Sequence, residues 1–227
     1  MSDAKNEILG RIRAALDDAP VAPEVPRGYR RTSALGENAI LDMLEDRLVD
    51  YRATVFRETA ESLPGRVRDL LADADRVVVP PGLDPAWLPH ETGATGATGA
   101  DADPGAGTGS GGRFRIDAAD APLGVRELND AIDAVVTSST VSCAETGTIF
   151  LSGRDDEGRR AISLVPDHHI CVIPVESVVE LFPEALARVE PTAPITMISG
   201  PSATSDIELE RVEGVHGPRR LDVVLLG

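Results

Sequence analysis

Apolar residues recur at helical spacing in three stretches of the first third of the chain. Ile8, Leu9, Ile12, Ala15 and Leu16 mark a helix over residues 3–17, with Ser2 placed to cap it. Ile40, Met43, Leu44, Leu48 and Val49 form one stripe over residues 37–50, opposite Asp42, Glu45, Asp46 and Asp50. Pro64 opens a third helix, Leu63 to Ala74, whose inner side is Val67, Leu70 and Leu71. Short β-branched runs separate these helices: Thr54-Val55-Phe56, then Arg76-Val77-Val78-Val79, closed by Pro80-Pro81-Gly82. Helix alternating with short buried strand predicts an α/β domain with a largely parallel sheet.

The second half continues the pattern. Leu123 to Ile132 predicts a helix. Val135 to Cys143 and Thr148 to Leu151 predict strands, joined through Ala144-Glu145-Thr146-Gly147. Ile162 to Val165 and Ile170 to Ile173 predict two more, around Pro166-Asp167-His168-His169. Residues 176–189 read as a helix through Val178, Val179, Phe182, Ala185, Leu186 and Val189, with Pro183 marking a kink or a restart. Ile195 to Ile198 predicts a strand, and the near-continuous apolar run Leu221 to Leu226 predicts a last one buried in the sheet.

Two segments fall outside this alternation. Pro20, Pro23 and Pro26 make residues 18–33 an extended linker, so residues 1–33 read as a helical, proline-rich arm that packs on this chain or on another subunit. Residues 91–112 carry small and polar side chains with no large apolar one, too little to offset the entropy of ordering. They read as a disordered insertion in an α/β domain spanning 34–227. A phosphate-binding loop is not expected there, because no GxGxxG opens a helix and no GK[ST] is present.

Charge and composition narrow the function. Thirty-eight acidic against 22 basic side chains give a net charge of −16, which disfavours nucleic acid and anionic membrane surfaces as partners. No signal peptide or apolar run of membrane-spanning length is visible, so a cytoplasmic protein is expected. The two cysteines, Cys143 and Cys171, exclude a disulfide framework and a four-cysteine zinc or iron–sulfur site within the chain. With 3% aromatic residues, the core must be built from Val, Leu, Ile and Ala.

Four segments hold polar and glycine residues at strand ends, the edge where open α/β sheets bind ligands. Glu145-Thr146-Gly147 reads as a tight turn with Gly147 at positive φ, or as a carboxylate at a cleft mouth acting as nucleophile or base. His168 and His169, being adjacent, face opposite sides of a strand, one inward and hydrogen-bonded, the other toward the surface. Ser199-Gly200-Pro201-Ser202, with Thr204 and Asp206 after it, reads as an anion cradle or as a helix start capped by Ser202 or Thr204. Gly214-Val215-His216-Gly217-Pro218 puts a histidine between glycines, and Arg219 and Arg220 follow, placed to pair with an anionic substrate or with local carboxylates.

Taken together, Ala144–Thr148, Leu164–Ile170, Ile198–Glu208 and Gly214–Pro218, in this order and spacing, resemble the LUD-domain family over about residues 35–227. The resemblance implies a three-layer α/β sandwich with a mostly parallel sheet, similar to the sugar-phosphate isomerase and CoA-transferase group. It implies a part in oxidising L-lactate to pyruvate, beside an iron–sulfur subunit and a cysteine-rich subunit. Without cluster cysteines, this chain resembles the clusterless component, with no cofactor of its own expected. Three functions then stand side by side. The first is an accessory subunit holding a small carboxylate or other anionic ligand through Thr146, Gly147, Ser199, Gly200, Ser202, Thr204, Asp206, Gly214, Gly217 and Arg219. The second is a free-standing CoA-transferase-like or sugar-phosphate-type enzyme using Glu145 and His216. The third is a regulatory or structural partner docking through the arm.

Overall fold

The computed structural model describes residues 2–17, 23–89, 112–204, 212–213 and 217–227. The chain divides into two units, Met1–Arg30 and Arg31–Gly227. The first contains helix α1, Ser2–Ala15, where Arg11 pairs with Glu7 one turn away and Ile8, Ile12 and Leu16 are exposed. The expected insertion at 91–112 lies outside the described residues, except for Gly112.

The second unit runs α2 (Glu37–Asp50), β1 (Thr54–Glu58), α3 (Leu63–Leu70), β2 (Val77–Val79), β3 (Phe114–Ile116), α4 (Val125–Ala131), β4 (Ala134–Thr137), β5 (Val141–Cys143) and β6 (Thr148–Leu151). It continues with α5 (Arg160–Leu164), β7 (His168–Pro174), β8 (Val178–Val179), α6 (Phe182–Leu186), β9 (Thr196–Ile198), β10 (Ala203–Thr204), β11 (Val212–Glu213) and β12 (Arg220–Leu226). Six strands form a wholly parallel sheet in the order β1-β12-β7-β4-β2-β3. A smaller mixed sheet has the order β8-β5-β6-β9, and β10 pairs with β11 as a short antiparallel ribbon.

Helices pack on both faces of the large sheet, and its central strands β2, β4, β7 and β12 are accordingly rich in buried apolar residues. Leu63 and Val67 of α3, with Leu71 at its C-cap, pack on Val77, Val136, Ile170, Val172 and Val224. On the other face Leu44 and Leu48 of α2, with Ile149 and Leu151 of the small sheet, pack on Cys171, Ile173, Leu221, Val223 and Leu225. Leu128 of α4 and Ile162 of α5 finish that face over Val78 and Val135. α6 closes the far side of the small sheet through Ala185, beside Phe150 and Val179.

Several expectations are corrected. Ile162–Val165 is not a strand but the end of helix α5 and its cap. An apolar run of four has no readable period, and Ile162 is held over Pro80 and Gly158 instead of in a ladder. The run Val135–Cys143 breaks at Ser138–Thr140 and serves two different sheets. At the break the Ser138 N–H bonds Asp156 O and the Thr140 N–H bonds Phe150 O. Residues 176–189 are helical only in the turn Val175–Ser177 and in α6, which restarts with Pro183 in its first turn. The β-branched pair Val178-Val179 joins β5 instead, and Val179 O and Glu180 O accept the N–H groups of Ala144 and Glu145. Val49, assigned to the inner stripe of α2, is exposed. Ala203-Thr204 is strand, so Ser202 does not open a helix; the residues that a cap at Thr204 would begin lie outside the described residues.

Buried polar groups fix the elements around the cleft described below. Asp117 takes a bidentate pair from Arg159 (2.6 and 2.9 Å) and the Leu123 N–H at 2.8 Å, which anchors the start of α5. Glu157 accepts the Ser152 and Arg154 N–H groups and the Thr140 hydroxyl. Glu180 accepts the Ser33 hydroxyl and the Ala34 N–H. Asp222 is fully buried, with one oxygen 2.8 Å from both His168 Nε2 and the Arg220 guanidinium. Burial pushes Asp222 up, but His168 and Arg220 outweigh it and hold its carboxyl below the ordinary range. His169 is 1% exposed, and burial, with His168 beside it, lowers its pKa from 6.5 to about 3.

Two outcomes follow from this packing. Gly147 lies at φ +59°, and a Cβ there would stand 2.7 Å from Arg47 Cβ. Gly147→Ala should therefore lower the urea-unfolding free energy by about 2–4 kcal/mol. Below about pH 6.5 the unfolded chain protonates His169, whereas the folded chain refuses that proton down to about 3. Stability that is full above about pH 6.5 is thus lost as pH falls, by about 2 kcal/mol between pH 7 and 5. Carboxylates held low, such as Asp222, contribute only from about pH 4 downward. His169→Gln should remove that 2 kcal/mol of loss, read from urea melts at the two pH values.

Candidate functional site

A cleft of about 250 Å³ opens at the amino-terminal ends of β7 and β12. The carboxyl-terminal edge was the expected place. The Pro166–His169 segment and Gly217–Arg220 instead precede their strands, because β7 starts at His168 and β12 at Arg220. Helix α5 lines one side with Arg160, Ser163 and Leu164. Strand β9 and the loop after it, Ser199 to Ser202, line another. Gly217, Pro218, Leu221 and the inward His169 complete the wall.

Local chemistry explains how these segments meet. The Ser202 N–H donates to Pro218 O at 2.8 Å, joining the two loops. Gly200 adopts φ +115°, and a Cβ there would lie 2.7 Å from Tyr51 O. Only glycine lets this loop press onto the end of α2. Gly147 presses on Arg47 and Tyr51 from the neighbouring turn, so α2 supports both glycine turns. A chain of hydroxyls connects them: Thr146 Oγ1 to Thr148 Oγ1 at 2.8 Å, then Thr148 Oγ1 to Ser199 Oγ at 2.9 Å.

Among the described lining residues there is no carboxylate, although the chain as a whole carries −16. Arg160 is exposed and supplies positive charge at the opening. His169 is buried, uncharged near neutral pH, and 2.8 Å through Nε2 from Thr137 Oγ1. Its Nδ1 is buried with no hydrogen-bond partner among the described residues. Ser163, 2% exposed, donates to Arg160 O at 3.1 Å.

Of the residues singled out in the sequence, Ser199, Gly200, Ser202 and Gly217 line the cleft. Glu145 is exposed on the β5–β6 turn, outside the cleft wall, with its N–H bonded to Glu180 O. Thr146 and Gly147 reach the cleft only through the hydroxyl chain and the shared support of α2. Arg219 makes a bidentate pair with Asp167, whose pKa that contact lowers, and Arg220 pairs with Asp222. The local-carboxylate reading of this arginine pair is the one observed. His216, Asp206 and Gly214 lie outside the described residues, as does the side chain of Thr204. Sequence reasoning missed Arg160, Ser163 and Thr137. It did identify one inward histidine, which strand alternation alone implies and which is His169. Cys143 and Cys171 are both free and buried, and burial pushes the Cys171 thiol up to about 12. No group of three or more His, Cys, Asp or Glu among the described residues is arranged to hold a metal ion. No helix among them is long and apolar enough to cross a membrane.

Known proteins resemble this one over part or all of its length. A lactate utilization protein C of Deinococcus radiodurans is 40% identical over 230 residues, covering 100% of this chain and 97% of that protein. The lactate utilization protein C of Bacillus subtilis is 35% identical over 117 residues, 47% of this chain and 48% of its own. The crystal structure of a DUF162 family protein from Deinococcus radiodurans matches with a TM-score of 0.65 and 36% identity, over 85% of this chain and 99% of that one. The family model of the LUD domain matches residues 87–226, a span that takes in the large sheet from β2's exit onward and every described wall of the cleft. The chain belongs to the LUD-domain family.

Proposed function

We propose that this protein is a subunit of a lactate-utilising system that oxidises L-lactate to pyruvate, and that it holds a small anionic ligand in the cleft between α5, β9 and the start of β7. One observation carries the ligand reading: a cleft without a carboxylate among its described residues, in a strongly acidic chain, with Arg160 at its opening and serine hydroxyls on its wall. The name of the full-length relative from Deinococcus radiodurans supports the system, and the shorter match in Bacillus subtilis carries the same name. Two cysteines cannot supply the four thiolates of an iron–sulfur cluster, so electrons pass to an iron–sulfur or cysteine-rich partner subunit. The ligand role is then one of binding, and the isolated chain does not oxidise lactate.

A thermal melt of the purified chain with lactate, pyruvate, CoA, a sugar phosphate or inorganic phosphate tests the site. A ligand at a hundred times its Kd stabilises by about 2.7 kcal/mol, so a true ligand raises Tm by several degrees. That rise should vanish in Arg160→Ala. A rise of the same size in the variant contradicts the site.

A second reading keeps Glu145 as an acyl nucleophile, and the Thr146–Thr148–Ser199 hydroxyl chain from its turn to the cleft favours it. Glu145→Gln separates the two. Lost ligand binding and lost lactate-dependent growth support the nucleophile; no change in either leaves Glu145 a residue of the turn.

A further inference from the structure

Helix α1 leaves an apolar face uncovered. Ile8, Ile12 and Leu16 recur one turn apart and are 59%, 50% and 57% exposed. A helix of 14 residues with Gly10 in its middle is marginal in water by itself, because short helices draw their stability from burying an amphipathic face. The helix therefore needs a surface that the single chain does not give it.

The charges around the stripe say what that surface is. Lys5 and Arg13 stand beside the stripe, about 12 Å apart along the helix, with no ion pair among the described residues. Arg11, on the other side, is taken by Glu7. Acidic and basic side chains balance over residues 1–30, so residues 31–227 carry the whole net charge of −16. A basic and apolar stripe on such a chain calls for an acidic surface with an apolar centre.

The outer face of α2 fits in sign and in spacing. Asp42, Asp46 and Asp50 follow one another turn by turn over the same length of helix, around Val49, which is 54% exposed. Arg57 reaches Asp42 and Glu45, and Arg47 reaches Asp46. Asp50 has no ion pair among the described residues, so the face keeps an excess of carboxylates. Tyr51, at the C-cap, adds a second half-exposed large side chain.

The connection favours a second copy. It is fixed at Ser33 and Ala34 on the buried Glu180, just ahead of α2. Residues 23–31 form no helix or strand, and Pro23 and Pro26 stiffen them as an extended spacer that opposes folding back. In the single chain the α1 stripe and Val49 both remain exposed.

We propose that α1 of each chain docks across the outer face of α2 of a second copy, so that two chains exchange their arms. Ile8 and Ile12 cover Val49, and Lys5 and Arg13 meet the aspartate row. Each chain gives one helix and receives one, which closes the assembly as a two-fold dimer.

Sedimentation equilibrium of the full chain across micromolar concentrations tests this. A monomer–dimer equilibrium is expected. Ile8→Asp with Ile12→Asp should raise its Kd at least about tenfold, and Val49→Asp should do the same from the other helix. Lys5→Glu with Arg13→Glu should weaken the dimer about three- to tenfold, and adding Asp46→Lys with Asp50→Lys should bring the Kd back to within about twofold of the wild-type value. All these side chains are exposed, so the variants should keep the circular dichroism and thermal unfolding of the parent chain. A chain that is monomeric at every concentration overturns the proposal, whether α1 is covered by its own chain or by a different protein. A dimer that Val49→Asp leaves intact, or charge reversals that fail to restore one another, overturns it as well.

Discussion

The cleft depends on where the C-terminal strand is inserted. β12 lies inside the parallel sheet, between β1 and β7, with Leu221 beside His169 and Val223 beside Cys171. A strand in that position must enter from the edge where β7 also begins. Gly217 and Pro218 are thereby delivered next to the inward histidine, and the Ser202 N–H closes onto Pro218 from the other side. The run Leu221–Leu225 is thus both buried within the sheet and the element that assembles a polar wall at its own start. The hydrophobic drive that seats this strand also brings Gly217, Pro218 and Leu221 against the loop after β9.

The polar side chains of the sheet are divided between its faces by the same alternation. His168 and Arg220 both meet one oxygen of Asp222 on one face, while the other oxygen of Asp222 is buried with no partner among the described residues. His169, one residue on, faces the opposite side and meets a single hydroxyl. The consequence is electrostatic. The charged face keeps an ionised carboxylate inside the protein, whereas the other face keeps its imidazole neutral and one nitrogen uncommitted. Asp117 and Arg159 hold α5 from behind, which keeps Arg160 and Ser163 turned to the cleft without contributing to it directly.

Much of this was legible in the sequence where burial imposes a pattern. Helix α2 spans the residues predicted for it, 37–50, and β2, β7 and β12 are strands where β-branched and aliphatic runs predict them. Gly147 takes the positive φ expected of the Glu-Thr-Gly turn. Legibility fails where a short apolar run has no period of its own. Ile162 and Val178 each sit in such a run; tertiary contacts made one a helix residue and the other a strand residue, against expectation in both cases. The misreading at Ile162 hid Arg160, because a residue just before a supposed strand gives no reason to look at its side chain. The loop Ser199–Ser202 was found from its composition, whereas the edge of the sheet it serves follows only from the topology.

The central claim is that the cleft, with Arg160 at its opening and no carboxylate among its described lining residues, holds a small anion. Nitrogen NMR of the chain labelled at its arginine side chains reads this directly, with the Arg160 signal assigned through its variant. The account predicts that the Arg160 Nε–H signal moves on addition of a small carboxylate such as lactate or pyruvate, while the Arg159 signal, held by Asp117, stays in place. An Arg160 signal unmoved by every small anion tried would contradict it.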